Sequence, residues 1–167
     1  MRNKPQLIVG VDNGVTGALC SLDVQTGSVS GYARMPLEVC GGLQEVCIPN
    51  MLLWIEELGR SVVVAIEEPL RHAPSSQSMR SMSISFGKTV GALEARGIPV
   101  VRIQVKEWQN EMLGKRLAKG MTKPAALLKA RFLWPAEDWL ASPLCRTPHD
   151  GIVDAALIAQ YHLNTLP

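Results

Sequence analysis

Two apolar runs in this 167-residue chain end on an acid. The first is Leu7-Ile8-Val9-Gly10-Val11-Asp12 and the second is Val62-Val63-Val64-Ala65-Ile66-Glu67. Short runs of this kind read as buried strands. In open α/β sheets, sites form outside the carboxyl ends of the strands. If these two strands are neighbours, their ends lie about 4.8 Å apart, and Asp12 crowds Glu67. Crowded like charges raise each other's pKa unless a cation intervenes. Carboxylate oxygens bind hard divalent ions, and Mg2+ takes one or two carboxylates plus substrate phosphate. Glu68 competes with Glu67 for this part. Strand alternation sends their side chains to opposite faces, and Glu67, which continues the Val63/Ala65 face, is the choice here.

A third acidic element lies near the C-terminus. Asp150 and Asp154 are spaced i, i+4, on one face of a helix. Asp154 stands among Ile152, Val153, Ala155, Ala156, Leu157 and Ile158. A carboxylate in such surroundings is costly unless it is paired or ligates metal. Asp150 also fits as the acid of a capping box, Thr147-Pro148-His149-Asp150. His149 is a candidate ligand or proton carrier and equally an ordinary surface histidine. Together Asp12, Glu67, Asp150 and Asp154 can hold two metal ions roughly 3.5–4 Å apart. Such a pair activates a water and steadies the leaving oxygen during in-line attack on a phosphodiester.

Charge is divided along the chain. Between Arg71 and Arg131 there are twelve Lys/Arg and three acids, whereas the remainder holds five Lys/Arg and twelve acids. A polyanion-binding surface beside a carboxylate cluster is what a metal-dependent nuclease needs. The segment from Pro69 to Ser81 is polar and basic, and loops on rigid scaffolds often carry binding. Within it Arg71, His72, Ser76 and Arg80 are candidates for phosphate contacts, which position DNA without reading its sequence. Lys115, Arg116, Lys119 and Lys123 form a second basic cluster, suited to DNA arms or simply solvated.

The elements that must position these groups follow from pattern. Strands are expected over 6–11, 17–24, 28–35, 61–67 and 99–103. Helices are expected over 49–58, 80–95 (stopping at Gly97), 105–113 and about 148–163. A further helix opens at Thr122-Lys123-Pro124, with Thr122 as N-cap. Three meandering strands followed by alternating helices and strands imply an α/β protein with a mixed sheet covered by helices. The length fits one domain, residues 1–167. A hydrophobic content of 47% against 19% charged excludes a disordered chain. No apolar run approaches the ~18 residues of a membrane span, and no signal-peptide pattern is present. Cys20, Cys40, Cys47 and Cys145 form no CxxC pair and no zinc spacing. They read as reduced thiols of a cytoplasmic protein, bacterial or from a phage-infected host.

With those residues in place, the chain resembles the RuvC-type Holliday junction resolvases, within the ribonuclease H-like nucleases, over nearly its whole length. Gly10-Val11-Asp12-Asn13-Gly14 is similar to the family's opening Asp-Pro-Gly turn, with Asn13 in place of Pro. Ala65-Ile66-Glu67, the stretch from Phe86-Gly87 through Val100, Val105-Lys106, Lys123 and the closing Asp154-Ala155-Ala156-Leu157-Ile158-Ala159 resemble later family segments. The resemblance implies a five-stranded mixed sheet of order 3-2-1-4-5 with helices on both faces, its first and fourth strands parallel. It implies metal ligation by Asp12, Glu67 and Asp154, with Lys106 and Lys123 as phosphate-positioning cations. It also implies two Mg2+ ions per site, with Mn2+ able to substitute, and no small-molecule cofactor. The expected substrate is four-way junction DNA. Two strands must be cut, and a symmetric homodimer suits that geometry. Met79, Met82 and Ile84 are candidates for the dimer surface, and Val90 and Leu93 read as core. The family's usual acid or His three residues before the last Asp is Gly151 here, so Asp150 or His149 takes that part. This departure points toward a phage member. Two other readings stand beside this one: another ribonuclease H-like nuclease acting on hybrid or branched substrates, and an actin-like or sugar-kinase-type ATPase fragment, whose phosphate loop Asp12 to Gly17 mimics.

Overall fold

The computed structural model describes residues 5–69 and 75–166. Strands β1 (Leu7–Asp12), β2 (Ala18–Asp23) and β3 (Val29–Arg34) form a meander. A small hairpin, β4 (Leu37–Cys40) and β5 (Leu43–Val46), leads to helix α1 (Ile48–Glu57). Then come β6 (Val62–Glu67), α2 (Ser76–Ala95), β7 (Val100–Ile103), α3 (Val105–Leu113), α4 (Thr122–Leu133) and α5 (Asp150–Thr165). The main sheet has the order β3-β2-β1-β6-β7, with β6 parallel to both β1 and β7. This is the expected topology with one element added, the β4–β5 hairpin. Its signal was Gly41-Gly42, both at positive φ (57° and 82°), the backbone of a two-residue hairpin turn.

Alternation along β1 and β6 divides the interior into two layers. Ile8, Val63 and Ala65 face α3, α4 and α5, meeting Trp108, Ala126, Ala130, Ile152 and Ala156. Val9, Val11, Val64 and Ile66 face α1 and α2, meeting Met51, Ile55, Val90 and Leu93. Val90 and Leu93 are therefore core, as expected. Helix α2 ends in a Schellman motif: the Ile98 amide donates to the Leu93 carbonyl and Gly97, at φ 68°, donates to Glu94.

β1 and α5 approach closely at Gly10. A Cβ built on Gly10 would stand 1.9 Å from the Ala155 carbonyl oxygen and 2.8 Å from the Ala159 nitrogen. The small residues of α5 thus seat the helix directly on the sheet, one residue from Asp154. The start of α5 is held from the other side by an aromatic cluster. Trp139 stacks on Tyr32 at 5.9 Å and meets Trp134 edge-on at 5.5 Å. The Trp134 indole donates to the Gly27 carbonyl at 2.8 Å, and the His149 amide donates to the Trp139 carbonyl at 2.8 Å.

Besides a one-residue shift of α1, three helix starts differ from expectation. Helix α2 begins four residues early, because Ser75 caps it by accepting from the Ser78 amide. Thr122 is the first residue of α4 rather than its cap; Met121 occupies the cap position. The capping box at Thr147 does not form. The bond to Trp139 holds His149 extended, and α5 starts at Asp150 with the His149 ring as cap. The four cysteines form no disulfide. No helix among the described residues is long and apolar enough to cross a membrane.

Gly10→Ala forces a methyl into backbone that cannot rotate away. It is expected to cost about 3 kcal/mol or more, read as a lowered urea midpoint. Trp139→Ala, which empties the aromatic cluster, is expected to cost about 3–5 kcal/mol by the same measurement.

Candidate functional site

Asp12 is the last residue of β1 and Glu67 the last of β6. The parallel register pairs Val11 with Ile66, so the two carboxylates stand side by side where the strands end. Helix α5 crosses this edge and adds Asp154 from its second turn. Burial dominates the ionisation of all three, and charge adds to it for Asp12 and Asp154. Burial, then the charges of Asp154 and Glu67, hold the Asp12 carboxyl well above the usual range. Asp154 is pushed up to about 7 by burial and by Glu67 and Asp150. Burial also raises Glu67, against a hydrogen bond that favours its charged form. That bond comes from the fully buried Trp108 of α3, whose Nε1 donates to Glu67 Oε2 at 2.6 Å. Glu67, not Glu68, is the acid on the α5 side of the sheet, as alternation predicted.

Asp150 plays a different part. It is exposed at the start of α5 and paired with Lys123 of α4. Both side chains are more than half exposed, so the ion pair contributes at most about 1 kcal/mol and opens easily. Lys123 lowers the pKa of both Asp12 and Asp154 through its charge. His149 is occupied as a cap: its Nδ1 accepts from the Ile152 amide at 3.3 Å. Burial, then the nearby Arg34 charge, lowers its pKa, so the ring is neutral at pH 7.

Among the described residues, no three His, Cys, Asp or Glu side chains are drawn together at metal-ligating distance. The donor set still fits a hard divalent cation. Its donors are carboxylate oxygens from three elements whose ionisation burial opposes, and Lys123, whose charge reaches Asp12 and Asp154, is largely in solvent.

No protein-family model and no curated protein sequence matches the chain. Solved structures do. Thermus thermophilus RuvC in complex with a Holliday junction substrate is 15% identical, covering 94% of this chain and 92% of that one at a TM-score of 0.58. A second Thermus thermophilus RuvC structure is 15% identical, covering 95% of each chain, also at 0.58. The chain has the RuvC fold.

Within that fold, the position of Gly151 has a steric explanation. A Cβ there would lie 2.9 Å from Asp12 Oδ2, 2.9 Å from the Thr16 carbonyl oxygen and 3.1 Å from the Gly17 carbonyl carbon. The turn after β1 packs on the helix axis and leaves no room for a side chain three residues before Asp154.

The remaining candidates are spread over exposed positions of several elements. Lys106 is exposed in the first turn of α3; Lys115, Arg116 and Lys119 are exposed between α3 and α4. Ser76 and Arg80 lie exposed on the first two turns of α2 rather than in a loop. Arg71 and His72 fall outside the described residues. Sequence reasoning missed Trp108 as the partner of Glu67. Its only signal was an indole two residues after Lys106, in a chain with few aromatics.

Because the folded pKa of Asp154 lies above its ordinary 3.8, the group opposes folding above pH 3.8, and the penalty grows until pH passes about 7. In chelator, stability is expected to fall between pH 4 and pH 7.5 by up to roughly 4 kcal/mol from this group. Asp154→Asn should remove this group's share of the slope in urea melts, leaving the part due to Asp12, which is raised likewise. Trp108→Phe keeps the packing but strips Glu67 of its donor, with an expected loss of about 1.5–3 kcal/mol.

Proposed function

We propose that this chain is a divalent-metal-dependent endonuclease that resolves four-way DNA junctions by phosphodiester hydrolysis, giving symmetric nicks as a homodimer. One observation carries the reading: Asp12 and Glu67 end neighbouring strands of a RuvC-fold sheet beside Asp154 of α5, all three raised in pKa by burial and Asp12 and Asp154 also by their acidic neighbours.

Asp12, Glu67 and Asp154 are the residues that would hold the ions, with Asp150 free to join once Lys123 leaves it for phosphate. Two Mg2+ ions, or Mn2+ in their place, would when bound supply positive charge for water attack and for the leaving oxygen. The chain's own groups do the rest. Trp108 fixes one Glu67 oxygen and leaves the other for the site. Lys123 stands beside the acids as a mobile cation that can neutralise incoming phosphate. Lys106, Lys115, Arg116, Lys119, Ser76 and Arg80, with Arg71 and His72, are proposed to seat the DNA through its backbone.

The test is incubation of the protein with a four-way junction and with linear duplex, in Mg2+ or in chelator. Cleavage of the junction alone, and only with Mg2+, is expected. Equal cutting of both substrates rejects junction selectivity. Asp12→Asn should bind the junction with unchanged affinity in a gel-shift assay and cut it at least about 1,000-fold more slowly; retained cleavage removes Asp12 from the site. Because phosphate contacts dominate, junction affinity should fall steeply between 50 and 200 mM salt.

A further inference from the structure

The residue after Asp12 is gripped by a distant helix. Asn13 Nδ2 donates to the Met82 carbonyl of α2 at 3.2 Å, and the Ser85 hydroxyl of α2 donates to Asn13 Oδ1 at 2.9 Å. Both polar ends of the amide are therefore used, across about seventy residues of chain. Ser85 is buried at 6% exposure, where an unbonded hydroxyl would be costly. Here its proton is committed to Asn13.

The same helix carries groups proposed to meet DNA, Ser76 and Arg80, one to three turns before the grip. Beside it lies a groove of about 350 Å³ between α2 and the β4–β5 hairpin. Its lining includes Arg80, Ser81, Ile84 and Ser85 of α2 together with Val15, which belongs to the turn after Asp12. Anything seated against this part of α2 therefore bears on the turn as well.

We propose that Asn13 and Ser85 are positioning residues, which tie the orientation of Asp12 to α2 so that DNA lying along α2 sets the carboxylate. This rests on the nuclease reading above. Asn13 needs both ends of its side chain for the part. A residue without a donor and an acceptor there would leave the turn to find its own place. Geometry at a reacting centre is sensitive to this, since a displacement near 1 Å can cost about 100-fold in rate.

The experiment compares the wild type with Asn13→Ala, Ser85→Ala, Ser85→Thr and the Asn13/Ser85 double alanine. It measures junction affinity without Mg2+, single-turnover cleavage at saturating protein, and the rise in melting temperature on adding Mg2+. Assays run well below each variant's own midpoint. Cleavage is expected to slow about 10-fold or more in both single alanines, and the double should be no slower than Asn13→Ala. Affinity should stay within about two-fold, and Ser85→Thr, which keeps the hydroxyl, should retain the wild-type rate. The Mg2+-induced melting shift should shrink by about half in Asn13→Ala. Wild-type rates in the alanines overturn the proposal. So do parallel losses of affinity and rate, a Ser85→Thr variant as slow as Ser85→Ala, or a melting shift that Asn13→Ala leaves unchanged. If the wild type itself leaves junctions uncut, the nuclease reading fails instead, and the melting shift still decides whether Asn13 governs Asp12.

Discussion

The seating of α5 on β1 through Gly10, Ala155 and Ala159 governs the rest of this structure. Where a helix meets a sheet, side chains usually set the separation. Here there is none on the strand at the point of contact, and the helix backbone comes down onto the strand. That contact lies one residue from Asp154 and two from Asp12. A wider spacing would part the acids of the two elements. The aromatic cluster of Tyr32, Trp134 and Trp139 completes the constraint by pinning the chain just before α5 begins.

Such closeness is bought with electrostatic strain. Three half-buried carboxylates stand in one corner, where burial opposes the ionisation of each and acidic neighbours add to it for Asp12 and Asp154, and a chain selected for stability alone would carry apolar residues there. The surrounding structure relieves the strain only in part. Trp108 offers Glu67 one donor, and Lys123 offers a charge that is mostly in solvent. Relief left incomplete in this way is what a site for cations requires, since a firmly bound lysine or arginine would compete with them.

Much of this was legible in the residues. An apolar run ending on an acid marks both a strand and the place where it stops, so Asp12 and Glu67 could be set at one edge before any coordinates. Asp154 stood out because its neighbours are all apolar. The missing parts depend on contacts between distant segments. The grip of Ser85 on Asn13 joins positions 72 residues apart with no pattern to announce it. The start of α5 shows the same limit. Local rules favoured a cap at Thr147, and a single hydrogen bond from His149 to Trp139 moved the helix start inward. The β4–β5 hairpin differs, since its Gly41-Gly42 turn was readable and its strands were simply short.

The crowding around Gly151 bears on how such a site can change over generations. With the turn carbonyls and Asp12 already filling that space, a single replacement at this position meets a collision before it can offer any benefit. An acid fits there only after the turn at 14–17 has been reshaped. The order of steps is therefore constrained, and a lineage with glycine at this point is held to it by its own neighbours.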